Sequence, residues 1–100
     1  MVVRKRWLPK SWRMDNDAAY LELERFYAAQ LAQRLRVLRD ERHVTQEYVA
    51  FHAGISTFTY QKFEKGESNP GTPMNPRLST LIALAQAFDI EPWELIHFEE

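Results

Sequence analysis

Wound as a helix at about 100° per residue, residues 57–65 place Phe58, Gln61, Lys62 and Lys65 on one face, with Thr57 and Thr59 in the first turn. That face offers an aromatic ring, an amide and two ammonium groups, a set suited to apolar contact, hydrogen bonding and negative charge. The opposite face carries Tyr60, Phe63 and Glu64, two large anchors for a core and one carboxylate. Other reactive residues point to little chemistry. His43, His52 and His97 lack metal-ligand spacing, and Asp15, Asp17, Glu22 and Glu24 read as an acidic helix start rather than an acid/base pair. Ser56 has no base partner and is better explained as a cap, and the three glycines lie too far apart to cradle a phosphate. The absence of cysteine excludes disulfides, thiol catalysis and cysteine-based zinc sites. No metal, cofactor or catalytic residue is expected, and the chain does not read as an enzyme.

Two short helices must position the outward face. Thr45 is an N-cap, followed by Gln46 and by Glu47 where a negative charge suits the helix dipole. Val49, Ala50 and Ala53 follow at helical spacing, and Gly54 can adopt the left-handed conformation that ends a helix. Ile55 then plugs the core, Ser56 caps the second helix, and Gly66 closes it. A steep helix pair across a glycine turn, the second helix polar and basic outside, describes a helix-turn-helix whose second helix would enter a DNA major groove.

Around this motif (residues 45–65) the chain reads as one domain over residues 15–98, preceded by an arm over residues 1–14. The arm holds Arg4, Lys5, Arg6, Lys10 and Arg13 with Trp7, Trp12 and Pro9 between them. Three readings stay open for it: a flexible tail, an arm on phosphates or in the minor groove, or tryptophans docked on a partner or on the protein's own surface. Its basic start lacks the apolar stretch of a signal peptide, so export is not expected. From about Asp15 to Arg42, Tyr20, Leu21, Ala28, Leu31, Leu35 and Leu38 recur at helical steps without Gly or Pro. This predicts one long helix, or two broken near Phe26. Residues 66–76 hold two Asn-Pro pairs, Gly71 and Pro73, and read as a loop. Arg77 to Phe88 is an amphipathic helix, and Pro92 starts a short last one in which Leu95 is core. Trp93, Ile96 and Phe98 exceed what that helix needs to bury, so they face a second subunit or form a lid on the protein's own core.

The segment TQEYVAFHAGISTFTYQKFEKGESNP resembles the phage-repressor/Cro-type helix-turn-helix family, also called the xenobiotic-response-element family. The matching positions are Thr45-Gln46-Glu47, Ala50, Gly54-Ile55-Ser56, Tyr60, Glu64-Lys65-Gly66 and Asn69-Pro70, and the likeness spans roughly Leu31 to Leu95. It implies an all-α, five- to six-helix lambda-repressor-like bundle, here with a helical N-terminal extension and a GTPMNP insertion. It also implies a bacterial or phage-derived cytoplasmic protein that binds double-stranded DNA as a homodimer through its C-terminal helix. Position by position, Gln46, Ser56, Lys65 and Asn69 would contact phosphate, and Thr57, Phe58, Gln61 and Lys62 would meet base edges. Arg39 would pair with Glu64 as a structural ion pair.

Charge qualifies this expectation. The net charge is −1, which argues mildly against a nucleic-acid partner. Its distribution matters more: residues 1–42 hold ten Lys/Arg against six Asp/Glu, a net of +4, and residues 43–100 hold three against eight, a net of −5. Such a split can still present a basic strip beside an acidic back. The expected function is a sequence-specific regulator of transcription, a repressor on a two-fold operator. Two alternatives stand beside it. One is an antitoxin that regulates its own operon and meets a toxin through the N-terminal arm. The other is a protein-interaction module that kept the fold and lost DNA binding. No membrane-spanning run occurs.

Overall fold

The computed structural model describes residues 17–97. The expected arm over residues 1–14, with Trp7 and Trp12, lies outside them, as do Asp15, Asn16 and Phe98. In order come α1 (Asp17–Arg42), α2 (Gln46–Ala53), α3 (Thr57–Lys65), a hairpin of β1 (Glu67–Asn69) and β2 (Thr72–Pro73), α4 (Leu78–Ala87) and α5 (Pro92–Leu95). The fold is therefore the expected helical bundle, with five helices among the described residues.

Without Gly or Pro to interrupt it, α1 runs unbroken for 26 residues, and the alternative of a break near Phe26 is not realised. Leu31, Leu35 and Leu38 meet Val49, Ala50 and Ala53 of α2, Tyr60 and Phe63 of α3, Leu84, Ala85 and Phe88 near α4, and Leu95 of α5 in a single core. The front half of α1 is less covered than its apolar spacing suggests: Tyr20 and Leu21 are exposed, as are Phe26 and Tyr27. In α4 the buried stripe starts only after the first turn, because Leu78 stands at the helix start and is 71% exposed.

Three arginines of α1 tie the bundle to its spine. Arg34 Nε donates to the Glu94 carbonyl (3.3 Å), Arg42 Nε to the Phe88 carbonyl (3.1 Å), and Arg36 Nη1 to the Glu64 carbonyl. Each acceptor belongs to the last turn of a helix or its cap, where carbonyls have no intrahelical partner. One helix thus closes the ends of three others.

The expected open loop at residues 66–76 is corrected in part. Glu67 pairs with Pro73 and Asn69 with Thr72, antiparallel with an irregularity between them. Pro70 and Gly71 (φ +83°) form the turn, a sequence order that suits Pro before a left-handed Gly. At the C-terminus Trp93 is 62% exposed, so it is not the lid on the protein's own core that was one of its two readings.

Candidate nucleic-acid interface

Local sequence sets the aim of α3. Ser56 Oγ accepts from the Thr59 N–H at 3.0 Å and caps the helix, and Gly66 (φ +87°) ends it by donating to the Lys62 carbonyl at 2.9 Å. Tyr60 and Phe63 bury fully inward. The outward side is fixed by that burial: Phe58 is 67% exposed, Gln61 and Lys65 are exposed, and Lys62 and Thr57 are half-buried. The Lys62 ammonium rests 4.5 Å from the centre of the Phe58 ring, a contact worth about 0.5–1 kcal/mol at an exposed site.

These side chains border a groove of about 640 Å³ between α3, the start of α2 and the hairpin. Of the residues singled out from sequence, Gln46, Phe58, Gln61, Lys62, Glu64, Lys65 and Asn69 line it together, Glu64 at its back. Ser56 and Thr57 do not; they sit at the N-terminal end of α3, and the Ser56 hydroxyl is engaged with Thr59 on both counts, also donating to its Oγ1 at 2.9 Å. Arg36 and Ser68 line the groove as well and were not singled out. The signal for Arg36 was its place three residues before Arg39, which puts both on neighbouring parts of one helix face.

Behind the groove lies the one buried charge among the described residues, Glu64, 5% exposed. Arg39 reaches it twice, Nε to Oε2 at 2.7 Å and Nη2 to Oε1 at 3.1 Å. Tyr60 donates its hydroxyl to Oε2 at 2.5 Å, and Gln46 donates Nε2 to Oε1 at 3.0 Å. Burial pushes the Glu64 carboxyl up, but hydrogen bonds from Arg39, Tyr60 and Gln46 outweigh it and hold the group below the ordinary carboxylate value. Burial, and then the carboxylate, push the Tyr60 phenol well above its ordinary value. The hydrogen bond to Glu64 raises the Arg39 guanidinium. Arg39 and Glu64 thus join α1 to α3 through a fully partnered cluster, of the kind that fixes an arrangement more than it adds stability.

Gln46 is held from both sides, since its Oε1 also accepts from Gln61 Nε2 at 3.2 Å. No group of three or more His, Asp or Glu side chains among the described residues is placed to hold a metal. No described helix is long and apolar enough to cross a membrane.

Residues 30–97 match a protein family described as helix-turn-helix domain. The chain belongs to the helix-turn-helix domain family, of the phage-repressor/Cro type. A solved member is the restriction-modification controller protein C.AhdI from Aeromonas hydrophila, at 35% identity and a TM-score of 0.59. The likeness covers 68% of this chain and 94% of that one. No curated protein sequence matches. The family match begins at residue 30, so this helix-turn-helix protein carries the front half of α1 ahead of it.

Proposed function

We propose that this helix-turn-helix protein is a sequence-specific regulator of transcription, a repressor that binds a two-fold operator as a homodimer. The observation that carries the reading is the single groove in which Phe58, Gln61 and Lys62 stand beside Lys65, Asn69 and Gln46. Side chains for base edges and side chains for phosphates are there together, as a helix in the major groove requires. Phe58 packs on a thymine methyl and Lys62 donates to a guanine. Lys65 and Asn69 position the helix on the backbone, with Ser56 and Thr57 at the end of α3 that enters first. The control role of the similar C.AhdI protein supports regulation as the purpose. Exposed Trp93 and Ile96 at α5 supply apolar surface for the second subunit.

Selection of duplexes from a random library, followed by gel shifts at low and moderate salt, tests this. The expected result is one enriched, two-fold symmetric sequence, bound as two protein copies, with affinity falling as salt rises. Equal retention of enriched and random duplexes would overturn the reading.

A further inference from the structure

The stripe of α1 that enters the core at Leu31 begins at Tyr20, well ahead of the elements that cover it. Tyr20, Leu23, Tyr27 and Leu31 repeat at three- and four-residue steps and line one groove of about 510 Å³, which Met74 and Leu81 line from the bundle. That volume lies in the range, about 300–1,000 Å³, that encloses a drug-sized group. Glu24 is the one charged residue in the lining, and it has no ion pair among the described residues. Asn75 brings the one side-chain amide. An apolar groove of this kind on a protein surface marks a place where something docks.

We propose that the occupant is the chain's own N-terminal segment: residues 7–12, Trp-Leu-Pro-Lys-Ser-Trp, turn back along the front half of α1 and fill the groove with their two indoles. Reach permits it. Trp12 stands five residues before Asp17 and can extend about 17 Å from it, and Trp7, ten residues before, about 35 Å. At about 1.5 Å per residue, Leu31 lies about 21 Å along α1 from Asp17. Both indoles therefore have the length of the groove within range. Charge favours it as well. Residues 1–14 hold five Lys/Arg and no Asp or Glu, whereas residues 17–97 hold eight Lys/Arg against eleven Asp/Glu, a net of −3. Lys10 and Arg13, beside the indoles in sequence, supply the cation that Glu24 lacks. The other end of the chain does not compete, because Glu99 and Glu100 would bring like charge to Glu24. An indole suits the lining, since its body takes apolar contact and its N–H needs an acceptor, which Asn75 and Glu24 offer. Tethering decides between this segment and a second copy of the chain. A segment joined to α1 meets the groove at an effective concentration on the order of mM, so even a weak contact is kept filled.

The test is isotope-edited NMR on the full chain without DNA, with labelled and unlabelled protein mixed. Within single labelled chains, the Trp7 and Trp12 indoles should show contacts to the methyl groups of Leu23, Met74 and Leu81. Replacing both tryptophans by Ala should shift those methyl signals and leave Val49 and Leu84, in the core, in place. Leu23→Lys, which sets a cation in the groove outside the core cluster, should abolish the indole contacts. Glu24→Lys, at an exposed position, should weaken them and keeps the test decisive should Leu23→Lys lose its fold. Indole contacts that survive unchanged in Glu24→Lys and in a folded Leu23→Lys overturn the proposal. So do contacts found only between labelled and unlabelled chains, which would make a second copy the occupant. Indoles that touch no groove residue in the free protein, and whose signals move only when a DNA duplex is added, overturn it in favour of an arm on phosphates.

Discussion

The two halves of α1 carry similar apolar spacing and end in different surroundings. From Leu31 to Leu38 its leucines are buried against four other helices, and Arg39 is locked to Glu64. Before Leu31, Tyr20, Leu23 and Tyr27 border an apolar groove of about 510 Å³ shared with Pro73, Met74 and Ile96. Where the two halves meet, Gly66 faces a stretch of small residues, and a methyl added to it would come into contact with Ala28, Ala29 and Ala32. Helical period alone does not make a core; an element has to lie across the stripe. The back half has α2 to α5 across it, and the front half has a hairpin of five strand residues.

The sharpest way to break that contrast is to truncate one aromatic in each setting. Phe63→Ala, in the core, should lower unfolding free energy by about 3–5 kcal/mol, whereas Phe26→Ala, 51% exposed, should stay within about 0.5 kcal/mol. Chemical denaturation of both proteins checks this, and equal losses would erase the distinction. Glu64→Ala should cost about 3 kcal/mol, because Arg39, Tyr60 and Gln46 lose their shared acceptor. The same cluster has a pH signature. Glu64 is held below its ordinary value, so its stabilisation is present above the ordinary carboxylate range and is lost as pH falls through the lower folded value. Denaturation midpoints taken at falling pH should therefore decline more steeply in the wild type than in Glu64→Gln.

Where the halves meet, Gly66→Ala should cost about 1–2 kcal/mol, since φ is +87° there. The added methyl itself would only reach ordinary contact, 3.5 Å from the Ala28 carbonyl. A neutral effect on the melt would mean that the helix end relaxes freely. The smallest change belongs to the front half. Arg25 bridges Glu22 at 2.8 Å and the Gly71 carbonyl at 3.1 Å, all at exposed positions. Arg25→Ala should cost no more than about 1 kcal/mol, and a larger loss in denaturation would make the hairpin anchor a true part of the core.

Much of α3 was legible because a nine-residue helix between Ser56 and Gly66 has one phase. Once Tyr60 and Phe63 face in, Phe58 and Gln61 face out. The pairing of Arg39 with Glu64 came from family resemblance and is present in the structure. The Gln46–Gln61 bond was not legible, since it joins two helices and depends on their crossing. The hairpin escaped for a different reason: strands of three and two residues are too short to show alternation, and Pro-Gly density reads as loop. Exposure of Trp93 was likewise invisible, because spacing tells which way a side chain points and not whether anything covers it.

If the outward face of α3 reads DNA sequence, Lys62 is the side chain to remove, because its ammonium is displayed on the exposed Phe58 ring. Fluorescence anisotropy with the enriched duplex and its single-base variants should be measured for wild type and Lys62→Ala, alongside their melts. Lys62→Ala should bind the enriched duplex more weakly by about 1–3 kcal/mol and lose its preference at one guanine. Its stability should fall by no more than about 1 kcal/mol, the worth of the lost contact with the Phe58 ring. Equal affinity of the two proteins for the enriched duplex, with the same base preferences, would contradict sequence reading by that face.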